Sequence, residues 1–224
     1  YLIRPYTLKP LTAETMPVVK NEGKTYIFNI KEGIQFHPHE AFSGKKRFLK
    51  ADDFINQIKR IAFDKKSNAF WIFKNVVGIK EVKESVHNLD DLFKTDIKGV
   101  KKLNDLQFQI DLTKSQPQFI YAFAMSFTAP SPKEIIQHYK NDLSVNPIGT
   151  GPFAIESYNE ADSIVLSANE DYWGGAPAID ELEFRFISEG STALTALRNG
   201  EIHWTDSIPP QSVGDLASES GIEL

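Results

Sequence analysis

The sequence predicts an α/β protein in which a mixed sheet is flanked by helices. Runs with the two-residue period of half-buried strands alternate irregularly with stretches of helical periodicity. Several strand runs follow one another closely enough to pair as hairpins. This order favours a mixed sheet covered by helices over a regular βαβ arrangement.

The first predicted strand contains Tyr26, Phe28 and Ile30, which alternate with polar residues. Gly33 is expected in the tight turn that follows this strand. Residues 41–47 carry lysine and glycine and are expected to form a surface loop.

A helix is predicted over residues 51–63, because apolar side chains recur there at helical spacing. Asp52 and Asp53 suit its first turn, where the helix dipole favours negative charge. Adjacent positions on a helix point in different directions, so these carboxylates are not expected to converge as an acid–base pair. We expect them, and the acidic pairs at 90–91 and 180–181, to face solvent.

Residues 100–112 predict a hairpin that turns near Asn104. A helix is predicted over residues 132–140, because proline is favoured near a helix start. Three further strand patterns precede a helix over residues 192–199, which Gly200 is expected to end. These strand patterns contain Phe153 and Ile155; residues 164–166; and residues 182–186.

Composition excludes several function classes. The 224 residues are 41% hydrophobic and 25% charged, as in ordinary globular proteins. The formal charge of −5 gives no basic footprint for nucleic acid. The absence of cysteine removes thiol catalysis and thiolate metal sites. No apolar run approaches the roughly 20 residues of a membrane helix, and no signal peptide is visible.

Six blocks of the sequence occur in an order typical of one protein family. They are GKTYIFNIKEGIQFH at 23–37, LKADDF at 49–54, NPIGTGPF at 146–153, NEDYWGG at 169–175, FRFI at 184–187 and ALRNGE at 196–201. In this order they resemble the extracytoplasmic solute-binding proteins of family 5, the oligopeptide and dipeptide receptors of ABC importers.

The resemblance implies the second type of periplasmic-binding-protein fold, with a short helix within residues 116–127. Family members are about twice as long as this chain, which opens with Tyr1 and ends in the strand-like residues 221–224. We therefore expect residues 1–224 to be a partial solute-binding domain. It would hold most of lobe one and lack the N-terminal strands, the second lobe and the C-terminal return.

The same resemblance implies a function. A monomer in the periplasm or at the cell surface would capture a small solute, most simply a peptide. It would deliver that solute to the permease subunits of an ABC transporter in the membrane. Neither a catalytic residue, a metal, a cofactor nor nucleic acid is expected to take part.

Two segments are implied as ligand contacts. In the family an aromatic residue after the 51–63 helix can face the ligand cleft, and Phe70 or Trp71 would fill that role here. The family proline is replaced by Asn68 in this block. A second segment, read as a strand over residues 203–208, would cross from lobe one toward lobe two. Its ligand contacts would be Trp204, Thr205, Asp206 and Ser207.

Three other motifs favour structural roles. The glycines of residues 149–152 are not followed by the lysine and helix of a phosphate loop, so they are expected to supply positive φ angles at a turn into the sheet. His37 and His39 would share one face of a strand, but further metal ligands are lacking nearby. Residues 171–175 are interpreted as an aromatic corner over the sheet edge.

Alternatives to peptide transport remain open. The same lobe could be the ligand-sensing domain of a transcriptional regulator, which a helix-turn-helix segment encoded upstream would indicate. A family member could also bind a metal chelate, a sugar or an opine. An extracytoplasmic hydrolase is disfavoured, because the sequence lacks a Gly-x-Ser-x-Gly elbow.

Overall fold

The computed structural model describes residues 7–64, 67–218, 221 and 223. The predicted α/β class is confirmed. The chain divides into two compact units. Unit 1 consists of Tyr1–Ile155 and Ser167–Asp180, and unit 2 of Glu156–Leu166 and Glu181–Leu224.

Seven strands form two sheets in the described part of the chain. The strands are β1 Val18–Lys20, β2 Thr25–Asn29, β3 Val100–Asn104, β4 Gln107–Asp111, β5 Phe153–Asn159, β6 Ser163–Ala168 and β7 Glu181–Arg185. The first sheet has the order β1-β2-β4-β3 and is antiparallel throughout. The second has the order β5-β6-β7.

The helices are α1 Ala51–Phe63, α2 Phe70–Phe73, α3 Ile79–Ser85, α4 Leu89–Lys94, α5 Phe119–Ala122, α6 Lys133–Tyr139, α7 Gly190–Arg198 and α8 Val213–Leu216. Short 3₁₀ turns occupy Asn21–Gly23, Glu40–Phe42, Ser126–Thr128, Lys140–Ser144 and Pro210–Ser212. The predicted helices over 51–63, 132–140 and 192–199 are confirmed, and so is the hairpin of β3 and β4. Gly200 ends α7 with a φ of 72°.

Aromatic packing joins the first sheet to α1 in unit 1. Phe28 of β2 lies opposite Phe108 of β4 in the ladder, and their rings stack at a centroid distance of 4.9 Å. Phe54 of α1 also stacks against Phe108, at a centroid distance of 5.3 Å. Phe123 closes the group with a centroid 4.4 Å from Phe28. This cluster fixes the position of α1, which carries the polar groups considered below.

The prediction that Asp53 faces solvent is wrong. Its side chain is fully buried, and its Oδ2 accepts a hydrogen bond from the backbone N–H of Lys50 at the start of α1. Burial is possible because the Arg47 guanidinium pairs with the carboxylate. Asp52 remains accessible and pairs with Lys102 at 2.6 Å.

Residues 41–47 are only partly a surface loop. Phe42 is buried against the core, and Ser43 and Gly44 turn the chain through left-handed φ angles of 54° and 72°. The ion pair between Arg47 and Asp53 anchors the C-terminal end of the segment to α1. Both ends of the segment are thus anchored, and only its middle is exposed.

Candidate functional site

A cleft of about 480 Å³ lies in unit 1 beside the segment that leads into α2. We call it the Arg60 cleft. The side chains and backbone that define it come from Gln57, Arg60, Ser67, Phe127, Ile148 and Thr150. Cationic, hydroxyl and apolar groups therefore face one space, as in small-molecule sites that combine an apolar lining with a few polar groups.

Gln57 positions the polar side of this cleft. Its Nε2 donates to the carbonyl of Phe127 at 2.6 Å, and its Oε1 accepts from Arg60 Nε and from Ser131 Oγ, both at 3.1 Å. The buried amide thus uses both of its ends. It orients the Arg60 guanidinium and joins α1 to the segment before α6.

Arg60 supplies the positive charge of the cleft. Burial lowers the pKa of its guanidinium, and the nearby charge of Asp64 opposes that effect. An arginine nevertheless stays charged at any physiological pH. A partly desolvated guanidinium with a planar donor fork suits a carboxylate or another planar anion.

The sequence did not reveal Gln57 and Arg60 as site residues. A polar glutamine among the apolar positions of α1 was the one available signal, since a buried amide must find partners. Two of its partners, Phe127 and Ser131, lie 70 and 74 residues further along the chain.

Phe70 and Trp71 have different environments in α2. Ile72 and Phe73 are buried and anchor this short helix. The Phe70 ring packs against the core and has the Lys83 ammonium 3.9 Å from its centroid. Trp71 is 53% exposed. Of the two predicted aromatic contacts, Trp71 therefore offers the open ring face.

The second predicted segment lies in unit 2 and is irregular. The expectation of a strand over residues 203–208 is wrong. Thr205 Oγ1 accepts a hydrogen bond from the N–H of Ser207 at 3.1 Å, and such local bonds compete with strand pairing. Trp204 is 72% exposed, and Asp206 and Ser207 are also exposed. These groups are free to contact a ligand without first leaving a packed core.

Residues 149–152 form a turn whose carbonyl groups are hydrogen-bonded within unit 1. His37 donates its backbone N–H to the Gly149 carbonyl at 2.9 Å, while its ring Nε2 lies 2.9 Å from the Gly151 carbonyl. Trp173 Nε1 donates to the Thr150 carbonyl at 3.2 Å. The turn leads into β5 as predicted.

The expected role of the glycines in this turn is wrong. Neither Gly149 nor Gly151 has a positive φ. The turn is instead held by the three acceptor carbonyls, which need no left-handed residue. Trp173 lies partly buried beside it, with the Lys31 ammonium 5.0 Å from its ring centroid, in agreement with the corner interpretation of residues 171–175.

His37 and His39 point to different partners. His37 binds the Gly151 carbonyl through Nε2. His39 accepts from the Ala41 N–H through Nδ1 at 3.1 Å and contacts the Tyr139 hydroxyl through Nε2 at 2.8 Å. Both residues lie in irregular backbone rather than in a strand, so the expectation of a shared strand face is wrong. Within the described ranges no cluster of three or more histidine, cysteine, aspartate or glutamate side chains has metal-site geometry.

No helix in the described part of the chain is both long and apolar enough to span a membrane.

Residues 7–224 match the family model described as bacterial extracellular solute-binding proteins, family 5 Middle. Among curated proteins, the dipeptide-binding protein of Escherichia coli (strain K12) is 29% identical over 92% of this chain and 38% of its own length. Di/tripeptide-binding protein 2 of Pseudomonas aeruginosa is 26% identical over 95% of this chain and 39% of its length.

Solved structures give the same fold. The periplasmic binding protein DppA of Helicobacter pylori, in complex with the peptide STSA, superposes with a TM-score of 0.74 at 23% identity. The match covers 95% of this chain and 40% of that one. The protein AgaA of A. tumefaciens R10, in complex with agropinic acid, gives a TM-score of 0.70 at 21% identity over 93% of this chain and 37% of that one. The chain thus spans about two fifths of the proteins it matches, and its fold is part of the second type of periplasmic-binding-protein fold.

Proposed function

Because the chain belongs to family 5 of the bacterial extracellular solute-binding proteins, we propose that it captures a peptide outside the cytoplasmic membrane and delivers it to the permease subunits of an ABC transporter. The family match over residues 7–224 carries this proposal. The two relatives described above are named for binding dipeptides and tripeptides, which favours a short peptide as the solute.

We assign residues 1–224 to most of one of two lobes that close on the ligand. This assignment fits the share of the relatives that the chain spans. Binding energy in such a protein goes into ligand capture and domain closure, and no covalent step is required. In keeping with this, the relatives reported above are all named as binding proteins.

The ligand contacts that we propose are Trp71, with Phe70 supporting it, and Trp204, Thr205, Asp206 and Ser207. The exposed indole rings offer apolar area for peptide side chains. The Asp206 carboxylate and the hydroxyl groups of Thr205 and Ser207 can hydrogen-bond a peptide backbone. The Arg60 cleft adds a guanidinium that suits a peptide carboxylate.

A non-peptide solute is the second candidate. Solved structures with this fold contain agropinic acid and mannopinic acid, so the fold accommodates other small acids. A ligand-sensing domain of a transcriptional regulator is the third, and a DNA-binding helix-turn-helix encoded with this chain would favour it over transport.

Ligand identification tests the proposal directly. The protein as its gene encodes it would be purified without denaturation, and the released solute identified by mass spectrometry. Calorimetry with di- and tripeptides, and with mannopinic acid as the non-peptide arm, would then rank the candidates. Saturable binding of a peptide supports the proposal. Binding of only the non-peptide acid, or of neither class, contradicts it.

A further inference from the structure

A second groove, of about 760 Å³, lies along a different face of α1 from the Arg60 cleft. Asp52, Ile55, Asn56 and Lys59 line it, at the spacing of one helical face. Gln57 and Arg60 belong to the other cleft. We call this second space the Lys59 groove.

The Lys59 groove is rich in cationic side chains. Its lining holds six of them, against three carboxylates. The six are Lys46, Arg47, Lys50, Lys59, Lys102 and Lys133.

Three of the six have close carboxylate partners. Arg47 holds Asp53 at 2.6 Å, and Asp105 lies 2.9 Å from Lys50 and 2.7 Å from Lys102. Lys102 also contacts Asp52, at 2.6 Å. Lys46 has a looser, exposed partner in Asp171 at 3.7 Å. Lys59 and Lys133 have no carboxylate partner as close as those of Arg47, Lys50 and Lys102 among the described residues.

Lys59 is buried and weakly compensated. Its side chain is only 8% exposed, yet its nearest carboxylate oxygen, on Asp96, is 3.7 Å away, and the Asp96 side chain is 99% exposed. At 3.7 Å the contact with Asp96 is longer than an ordinary hydrogen bond. Burial lowers the pKa of Lys59, interactions with Asp96 and the charge of Asp52 oppose this effect, and the positive charge of Lys133 adds slightly to the lowering. A buried ammonium ordinarily has close acceptors, because desolvation is otherwise uncompensated.

Lys133 lies on the same groove and has no carboxylate within ion-pair distance in the described part of the chain. Its ammonium is 5.0 Å from the centroid of the Phe93 ring, a contact that leaves its hydrogen-bond donors available. Lys59, with only a loose ion pair, and Lys133, with none in the described part of the chain, thus place two weakly compensated positive charges on the lining of one groove. Like charges on one groove repel each other, and an anion bound between them would offset that repulsion.

We propose that the Lys59 groove binds a multiply charged oxyanion, of which inorganic phosphate is the simplest, with Lys59 as the buried anchor and Lys133 at the rim. The groove has room for a larger molecule that carries the anionic group. This site lies on a different face of α1 from the Arg60 cleft and does not depend on the peptide-binding proposal.

Calorimetric titration with inorganic phosphate tests this site in the protein as its gene encodes it, with ionic strength held constant by sodium chloride. We expect saturable binding that weakens about tenfold or more in Lys59→Gln, because a charge-assisted hydrogen bond is lost. Lys133→Gln should weaken it as well. Lys133 is exposed, so this variant keeps the test decisive if Lys59→Gln does not fold. Lys80→Gln, an exposed lysine outside the groove, is the matched control and should bind as the wild type does.

Two sources of the anion are distinguished by a vesicle arm. Cosedimentation with vesicles that contain phosphatidic acid, but not with phosphatidylcholine vesicles, in a manner lost in Lys133→Gln would identify a lipid headgroup. Phosphate binding without cosedimentation would identify a soluble anion. The proposal is overturned if phosphate has no effect beyond that of chloride, or if wild type, Lys133→Gln and Lys80→Gln bind it equally.

Discussion

The Arg47 guanidinium holds the fully buried carboxylate of Asp53 through two nitrogens, with Nη2 2.6 Å from Oδ1 and Nη1 3.2 Å from Oδ2. Arg47 Nε also donates to Glu134 at 3.2 Å. The Asp53 carboxylate accepts the Lys50 N–H as well, so one acidic group ties the preceding loop to the start of α1. Desolvation raises the pKa of Asp53 despite the opposing charge of Arg47.

Replacement of Arg47 by methionine should destabilise unit 1 strongly. It leaves the Asp53 carboxylate buried without a countercharge, which in general costs about 3–5 kcal/mol of unfolding free energy. Urea unfolding measures the change. The double variant Arg47→Met, Asp53→Asn should recover part of the loss, because the unpaired charge is then gone. Lys101→Met, which removes a surface pair with Asp111, should cost less than about 1 kcal/mol. Equal losses in Arg47→Met and Lys101→Met would contradict the buried pairing.

His39 should make stability depend on pH. Desolvation lowers its pKa, the nearby charge of His138 adds to this, and Glu40 opposes it. Its Nδ1 accepts from Ala41 and its Nε2 reaches Tyr139, so the neutral ring satisfies both contacts and a protonated one loses the first. The folded chain therefore binds fewer protons near the ordinary histidine pKa of 6.5. The contribution of His39 is complete above that pH and is lost as the pH falls through the folded pKa.

NMR titration of the His39 ring and melting temperatures measured from neutral to acidic pH check this prediction. His39→Asn retains an acceptor for the Ala41 N–H and should flatten the pH dependence of the melting temperature. His87→Asn, at an exposed position, should leave it unchanged. A wild-type His39 that titrates at or above 6.5 would rule out the proposed cause.

Two glycines should respond differently to alanine. A Cβ at Gly99 would lie 2.7 Å from the Asp111 carbonyl oxygen and 2.8 Å from the Val77 backbone nitrogen, where neither backbone group can move freely. Gly99→Ala should therefore cost about 1–3 kcal/mol through overpacking. At Gly151 the nearest contact is an ordinary 3.9 Å, and the change should stay within about 0.5 kcal/mol. Denaturant unfolding of both variants measures the difference, and a larger loss in Gly151→Ala would refute this account.

Asp206→Ala should weaken ligand binding while leaving the apo melting temperature nearly unchanged. The side chain is exposed, so its removal disturbs no packing. Loss of a charged hydrogen bond to ligand would cost about 1.5–3 kcal/mol of binding free energy. Calorimetry and thermal unfolding of the protein as its gene encodes it separate the two effects. Lower apo stability with unchanged affinity, or a liganded structure in which this segment is remote from the solute, would remove Asp206 from the site.

Local patterns were sufficient to predict much of the fold. The bounds of α1 followed from apolar spacing, and Gly200 marked the end of α7, because both signals lie within a few residues of the feature they determine. The burial of Asp53 could not be predicted in the same way. It depends on Arg47, and Arg47 in turn binds Glu134, which lies 87 residues further along the chain.

The candidate site was only partly predictable for the same reason. The family resemblance implied the aromatic residues at 71 and 204, but the Arg60 cleft is assembled from residues within 57–69, 126–135 and 143–150, which no local pattern connects. The prediction of a strand over residues 203–208 was wrong because the Thr205 hydroxyl accepts a local hydrogen bond from the backbone N–H of Ser207. Pairwise contacts of this kind leave no periodic signal.

The division of the chain has a practical consequence for dissecting the gene. Unit 1 is discontinuous, since its second part, Ser167–Asp180, follows a passage through unit 2. A stop codon after Ile155 would remove Trp173, whose indole donates to the Thr150 carbonyl. It would also remove Asn169, whose side-chain amide donates to the Gly151 carbonyl. Expression of unit 1 by itself thus calls for a direct splice from 155 to 167, with 181 onward omitted, rather than a simple truncation.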